Sequence, residues 1–166
     1  MHRVLFVCHG NICRSTMAEY VMRHLVRERG IEAEFQIDSA AATRDAVGMG
    51  VHRGTREVLK RHGVACGNHR ARTMTRADYD RYDLIIGMDQ ENLYDMRRIL
   101  RTDPQHKIHL LLDWTNAPRD VADPWYTGDF DTTFADVMTG CVALLDKWPK
   151  GPRAGDRAPK KWPKGA

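Results

Sequence analysis

The chain has 166 residues, a length that suits one domain with a single hydrophobic core. Its formal net charge of +4 at pH 7 comes from the C-terminal end, because seven basic residues and one acid from Lys147 onward leave residues 1–146 at −2. A nearly neutral domain gives no reason to expect nucleic-acid binding.

The four cysteines are irregularly spaced, unlike those of a secreted disulfide framework. No apolar run is long enough to span a bilayer, and the first residues lack the pattern of a secretory signal. We therefore expect a cytoplasmic protein with reduced thiols and without membrane or nucleic-acid partners.

The predicted elements alternate between strands and helices. The apolar run 4–7 predicts a buried strand, and a helix follows it whose apolar residues recur at three- and four-residue spacing: Met17, Val21, Met22 and Leu25. Further strands are predicted at 34–40, 83–88 and 108–112, further helices at 55–62, 90–100 and 129–148, and a loop at 43–54. Thr55 is the expected N-cap of its helix. This alternation predicts a three-layer α/β fold with a four-stranded parallel sheet flanked by helices on both faces.

Residues 149–166 differ in composition from the rest of the chain. They are rich in Pro, Gly and Lys, and the sequence of residues 147–151 recurs at 161–165. Such a segment cannot bury a core, so we expect a domain of residues 1–148 followed by a disordered basic tail. An inert tail is favoured over one that contacts membranes or nucleic acids through Lys and Trp.

A group of reactive and phosphate-binding residue types lies between the first strand and the first helix: Cys8, Gly10, Arg14 and Ser15. A loop that enters a helix N-terminus points several backbone N–H groups at one spot, and the helix dipole adds positive potential there. Arg14 can donate two parallel hydrogen bonds to a phosphate, and the same field favours the thiolate of Cys8. The loop therefore predicts a phosphate site with a nucleophile, at the sheet edge where α/β proteins bind ligands.

Residues 7–15, Val-Cys-His-Gly-Asn-Ile-Cys-Arg-Ser, resemble the signature loop of the low-molecular-weight protein tyrosine phosphatases. Four later segments resemble further sequence blocks of that family in the same order: 38–41, 69–72, 82–93 and 123–126. The resemblance covers about residues 3–147. It implies a phosphoric monoester hydrolase that acts on phosphotyrosine-bearing proteins, and we expect a monomer that needs no cofactor and no metal.

The resemblance also assigns roles to individual residues. Cys8 attacks phosphorus to form a phosphocysteine intermediate, Arg14 holds the phosphate, and Asp123 is the general acid and then the general base. Composition alone would favour Asp123 as a turn residue before Pro124, and the resemblance reverses that preference. Supporting roles are implied for Asn11, Ser15, Ser39 and His69. Substrate contacts are implied for His9, Gly10, Ile12, Cys13, Trp125 and Tyr126.

Several of these residues keep a second interpretation. Ser15 donates to the Cys8 sulfur, caps the helix, or does both. Cys13 forms a protective disulfide with Cys8 or packs within the loop. His9 tunes Cys8 or lies at the pocket rim. The spacing of His62, Cys66 and His69 would also suit metal ligands. This interpretation is disfavoured, because no fourth ligand is evident nearby.

Two positions depart from the family pattern. Thr16 stands where relatives usually carry Pro, and we expect little effect because both residues can open a helix. The loop 43–49 should form one wall of the pocket, but it lacks the aromatic residue that relatives often place near Asp45 or Ala46. This leaves the substrate preference open while the chemistry is retained.

Three other functions compete with tyrosine dephosphorylation. Arsenate reduction on the same scaffold needs relay cysteines, and residues 87–92 contain none. Phosphoarginine phosphatases tend to carry Thr where this chain has Ile12. A non-catalytic phosphopeptide-binding module would be expected to lack a reactive residue, yet the nucleophile, the arginine and the acid are all present.

Overall fold

The structure is a computed structural model that describes residues 1–149, and most of the predicted tail lies outside the described residues. Its sheet has four parallel strands in the order β2-β1-β3-β4. The strands are β1 (His2–Cys8), β2 (Phe35–Ala41), β3 (Leu84–Gly87) and β4 (Ile108–Leu110). The helices are α1 (Arg14–Glu28), α2 (Arg53–Arg61), α3 (Ala77–Arg81), α4 (Gln90–Leu100), α5 (Pro124–Thr127) and α6 (Phe130–Lys147).

Helices cover both faces of this sheet, because the side chains of the central strand β1 alternate between two cores. Val4 and Phe6 pack in a cluster with residues of α1 and α6, whereas Leu5 and Val7 pack with residues of α4 on the opposite face. All four side chains are fully buried. Each buried apolar side chain of this size stabilises the fold by about 1.5–3 kcal/mol. The predicted three-layer α/β architecture is confirmed.

Some predicted boundaries are wrong. Residues 111–112 were expected to continue the fourth strand, but they belong to a 3₁₀ helix, Leu111–Trp114. The N-cap of α2 is His52, whose Nδ1 accepts a hydrogen bond of 2.9 Å from the Gly54 N–H, and not Thr55. The Thr55 hydroxyl instead donates to the Cys13 carbonyl oxygen at 3.2 Å. Tertiary contacts therefore override the local capping signal at this helix.

The topology brings three loops to the carboxyl edge of the sheet: the segment after β1, the start of α4 after β3, and the segment before α5. Ligands bind at this edge in open α/β sheets. No helix within residues 1–149 is long and apolar enough to cross a membrane.

Candidate active site

The segment between β1 and α1, residues 8–14, forms the phosphate loop. Most of its carbonyl oxygens accept hydrogen bonds from the surrounding chain, namely those of Cys8, His9, Asn11, Ile12 and Cys13. Because a trans peptide unit is planar, each N–H points opposite to the preceding carbonyl oxygen. The N–H groups that follow these carbonyls therefore face away from the scaffold, which makes the loop a cradle for an anion.

Cys8 ends β1, and its sulfur contacts the first turn of α1. The sulfur lies 3.1 Å from Ser15 Oγ, which accepts a hydrogen bond of 2.8 Å from Asn11 Nδ2. Because Asn11 donates to the Ser15 oxygen, the hydroxyl hydrogen of Ser15 can point at the sulfur, where it stabilises a thiolate. The N-cap position of α1 is Cys13, so the alternative in which Ser15 caps this helix is wrong.

The hydrogen bonds that brace the phosphate loop converge on Asn11. Its side chain is fully buried, and its φ of 60° lies in the left-handed region that asparagine tolerates better than most residues. Asn11 Oδ1 accepts a hydrogen bond of 3.3 Å from the Arg72 N–H, and the Asn11 carbonyl oxygen lies 3.2 Å from His69 Nε2. Burial lowers the pKa of His69 despite its hydrogen bond to Asn11, so the neutral ring donates from Nε2.

Ser39, for which the resemblance implies a supporting role, is hydrogen-bonded to α1. Its hydroxyl donates to Glu19 Oε1 at 2.8 Å, and Glu19 also pairs with Arg23 at 3.3 Å. Burial raises the pKa of Glu19, although Arg23 and Ser39 oppose the shift. Ser39 therefore ties β2 to the helix that follows the phosphate loop.

The Arg14 guanidinium is almost completely buried between two carboxylates. Nη1 donates to Asp89 Oδ2 at 2.6 Å and to the Val121 carbonyl oxygen at 2.9 Å, while Nη2 donates to Asp123 Oδ2 at 3.3 Å. Burial alone would lower the pKa of Arg14, but Cys8, Asp89 and Asp123 outweigh it and the pKa is raised. The guanidinium is therefore charged and held in place.

Asp89 is a site residue that the sequence interpretation missed. It lies directly after β3, and its Oδ1 accepts a hydrogen bond of 2.7 Å from the Asn92 N–H, which caps α4. The available signal was the Asp-x-x-Asn pattern at a helix start beyond a buried strand. That pattern predicts a cap but not a partner for Arg14, which is 75 residues away in the sequence.

Asp123 reaches the same guanidinium from the segment before α5. Its Oδ1 accepts a hydrogen bond of 3.1 Å from the Trp125 N–H and caps α5, while its Oδ2 faces Arg14. The side chain is 21% exposed and lines the pocket. Asp123 is thus the N-cap of a short helix, and both of its carboxylate oxygens accept hydrogen bonds at the wall of the pocket.

A pocket of about 280 Å³ opens beside the phosphate loop. One wall consists of Trp125 and Tyr126, which are 61% and 84% exposed. The loop 43–49 forms the facing wall, as predicted, and contributes Asp45, Ala46 and Met49. Each of the expected substrate-contact residues lines this pocket: His9, Gly10, Ile12, Cys13, Trp125 and Tyr126.

His9 lies at the rim of the pocket and bridges to the facing wall. Its Nε2 is 2.6 Å from Asp45 Oδ2, and the His9 side chain is 41% exposed. This placement agrees with the rim interpretation of His9.

Cys13 is a buried, protonated thiol. Burial raises the pKa of Cys13 to about 12, with Cys8 and Asp123 adding to the shift and Arg14 opposing it.

Thr16 lies in the first turn of α1, which begins at Arg14, and its Oγ1 donates a hydrogen bond of 2.9 Å to the Cys13 carbonyl oxygen. The Thr at position 16 is therefore accommodated in the first turn of the helix.

The three residues with metal-ligand spacing have separate partners. His62 stacks on Phe134 with ring centroids 4.0 Å apart, Cys66 lies 3.8 Å from Arg56 Nη1, and His69 is bound to the phosphate loop. Their spacing thus has a structural explanation that needs no metal.

Comparison with known proteins identifies the family. The model of the low molecular weight phosphotyrosine protein phosphatases matches residues 3–152. The protein-tyrosine-phosphatase YfkJ of Bacillus subtilis is 40% identical over 147 residues, covering 87% of this chain and 94% of its own length. The crystal structure of YfkJ superposes with a TM-score of 0.85 over 88% of this chain and 93% of that one.

Two further relatives match over most of this chain. The human low molecular weight phosphotyrosine protein phosphatase is 36% identical over 149 residues, covering 87% of this chain and 94% of its own. The crystal structure of a Drosophila arginine phosphatase is 31% identical with a TM-score of 0.78, covering 86% of this chain and 95% of that one. The matched range and these identities show that the chain belongs to the low molecular weight protein tyrosine phosphatases, which are phosphoric monoester hydrolases.

Proposed function

We propose that this enzyme dephosphorylates protein phosphotyrosine through a phosphocysteine intermediate, with Cys8 as nucleophile and Asp123 as general acid and base. The observation that carries the proposal is the convergence of Cys8, Arg14 and Asp123 on one pocket, although Arg14 and Asp123 are 109 residues apart in the sequence. A thiolate, a fixed cation and a carboxyl group are the parts that this displacement needs.

Each part has a defined task. The phosphate dianion binds the N–H groups of the phosphate loop and Arg14, and the Cys8 thiolate attacks phosphorus in line. Ser15 donates to the sulfur and stabilises it as thiolate before attack and as leaving group afterwards. The dianion competes with Asp123 for Arg14, and its negative charge favours a proton on the Asp123 carboxyl group. That proton passes to the leaving phenolate, and Asp123 then accepts a proton from the water that cleaves the phosphocysteine.

Steady-state turnover of aryl phosphates of graded leaving-group basicity tests the proposal. We expect Cys8→Ser to abolish turnover, and Asp123→Asn to slow it most for the most basic leaving groups, by about 100-fold or more. Asp120→Asn, an exposed carboxylate in the same segment, is the control and should behave like the wild type. Full activity in Cys8→Ser, or an equal loss in Asp123→Asn for all leaving groups, would contradict the mechanism.

Phosphoarginine is the second candidate substrate, because a structural relative is described as an arginine phosphatase. Ile12 lines the pocket of this chain. A bulky apolar residue there packs against an aryl ring and offers no hydrogen bond to a guanidinium, so we favour phosphotyrosine. Comparison of kcat/KM for matched phosphotyrosine and phosphoarginine peptides decides between them, and Ile12→Thr should shift the ratio toward phosphoarginine.

We further propose that the enzyme acts as a cytoplasmic monomer. The four free cysteines, three of them buried, are consistent with a reducing compartment. Light scattering of the purified protein at catalytic concentrations should give the mass of one chain, and a dimer mass would contradict this proposal.

A further inference from the structure

A second cluster of polar side chains lies at the rim of the pocket and contains none of the three proposed catalytic residues, Cys8, Arg14 and Asp123. His9 from the phosphate loop faces Glu91 and Asp95 from α4, and one ligand atom from each lies within 4.8 Å of the others. Within residues 1–149, the two carboxylates have neither a hydrogen bond nor an ion pair closer than 4.0 Å. The two carboxylates therefore face the imidazole of His9.

The electrostatics of this cluster favour an added positive charge. Glu91 and Asp95 are four residues apart on one helix face, where like charges repel. A cation in contact with both carboxylates would relieve this repulsion.

The His9 ring is also held in the manner of a metal ligand. Its Nε2 lies 2.6 Å from Asp45 Oδ2. A carboxylate partner on one ring nitrogen orients histidine ligands in metalloproteins. In tetrahedral coordination with bonds of about 2.1 Å, neighbouring ligand atoms are about 3.4 Å apart, so small side-chain rotations suffice to close the site.

We propose that His9, Glu91 and Asp95 bind a divalent transition-metal ion of the zinc type, with Asp45 orienting the imidazole. The mixture of one nitrogen and two carboxylate ligands suits Zn²⁺ and its neighbours rather than Mg²⁺, which prefers oxygen ligands and retained water. We assign this site a regulatory role, because the mechanism proposed above uses no metal. An ion bound to His9 occupies the mouth of the pocket and hinders the entry of substrate.

Zinc binding is measured by calorimetry in the variant Cys8→Ser/Cys66→Ser, which removes the reactive thiol and the partly exposed one as competing ligands. We expect one equivalent of Zn²⁺ to bind, and Mg²⁺ not to compete. Adding Glu91→Gln and Asp95→Asn should weaken the affinity more than tenfold, and Asp45→Asn should weaken it by about tenfold. Adding His24→Gln, which breaks a surface His–Glu pair at 3.2 Å, is the matched control and should change nothing.

Activity gives a second measurement. Glu91→Gln/Asp95→Asn in the otherwise unchanged enzyme should keep its metal-free turnover of p-nitrophenyl phosphate, which also shows that it folds. Zinc should inhibit this variant only at concentrations more than tenfold above those that inhibit the wild type. Equal inhibition of the two proteins, absence of zinc binding in the thiol-free background, or loss of binding with His24→Gln would each overturn the proposal.

Discussion

Asp89 has two functions: it binds Arg14 and it caps helix α4. One carboxylate oxygen accepts a hydrogen bond from Arg14 at 2.6 Å, and the other accepts one from the Asn92 N–H at 2.7 Å. Asparagine caps helices as well as aspartate does, but it carries no charge. The substitution Asp89→Asn therefore separates the two functions.

We expect Asp89→Asn to keep the melting temperature and to lower kcat/KM for p-nitrophenyl phosphate by about 100-fold, because a guanidinium free to shift misplaces the phosphate. Asp136→Asn, which breaks an exposed ion pair with Arg119 at 2.7 Å, is the control and should leave kcat/KM unchanged. Wild-type kcat/KM in Asp89→Asn would show that Arg14 holds its position without this partner.

His69 couples the stability of the fold to pH. Burial lowers its pKa in the folded state, so the unfolded chain binds more protons as the pH falls below the ordinary histidine value of about 6.5. The His69 contribution to stability is thus complete above that value and declines as the pH falls.

We expect the wild-type melting temperature to drop between about pH 7 and pH 5 by more than that of His69→Gln. Glutamine retains an N–H donor for the Asn11 carbonyl oxygen and does not titrate. Thermal unfolding of both proteins across this range is the measurement, and parallel curves would exclude His69 as a source of the pH dependence.

Local sequence predicted the residues of the phosphate loop but not all of their partners. Cys8 and Arg14 belong to one short strand–loop–helix segment, whose chemistry can be inferred without the rest of the chain. The hydrogen bonds that Ser39 donates to Glu19 and that Arg14 donates to Asp89 join distant segments. A single sequence carries no signal for such pairs, because each of these polar residues could equally well be exposed to solvent without a protein partner.

At the level of elements, long segments were predictable and short ones were not. The strand β1 and the helix α6 have enough residues to show periodicity, and their predicted bounds are close to the observed ones. The helices α3 and α5 have five and four residues, too few to show a repeat. The 3₁₀ turn Leu111–Trp114 follows β4 directly, and its first residues are apolar like those of the strand, so the sequence alone does not separate the two. Helix α6 packs directly against this turn.

The contact between α6 and this turn requires a glycine. A Cβ atom added at Gly140 would lie 2.5 Å from Leu111 Cγ, and Leu111 is fully buried. Alanine favours a helix by about 1 kcal/mol over glycine, but overpacking a core typically costs about 1–3 kcal/mol. The clash involves a branched carbon in a filled core, so we expect the overpacking to dominate.

Gly140→Ala should therefore lower the free energy of unfolding by about 1–2 kcal/mol, measured by urea denaturation. Thr139→Ala, on the exposed side of the same helix, is the control and should be neutral or slightly stabilising. The double variant Gly140→Ala/Leu111→Ala should lose less than the sum of the single losses, because truncated Leu111 leaves room for the added methyl. Additive losses would show that the clash is relieved by movement of α6.

For the whole molecule, the catalytic unit is expected to end at Trp148. The residue is 9% exposed, and its ring packs against those of His2 and Phe35, with centroid distances of 5.3 and 6.1 Å. This residue therefore closes the fold by joining the end of α6 to the first two strands. Among residues 1–149, those that line the pocket lie between positions 8 and 126.

A chain shortened to residues 1–148 should keep the kcat/KM for p-nitrophenyl phosphate and the melting temperature of the full chain, because a Pro-, Gly- and Lys-rich segment has little apolar surface to bury. Trp148→Ala in the full chain is the matched comparison: it should retain the kcat/KM at low temperature but lower the free energy of unfolding by about 3 kcal/mol. A lower kcat/KM in the shortened chain would assign residues 149–166 a part in catalysis. A loss confined to phosphotyrosine proteins would instead assign them a part in substrate recruitment, in which case their excess of positive charge should make that recruitment sensitive to salt.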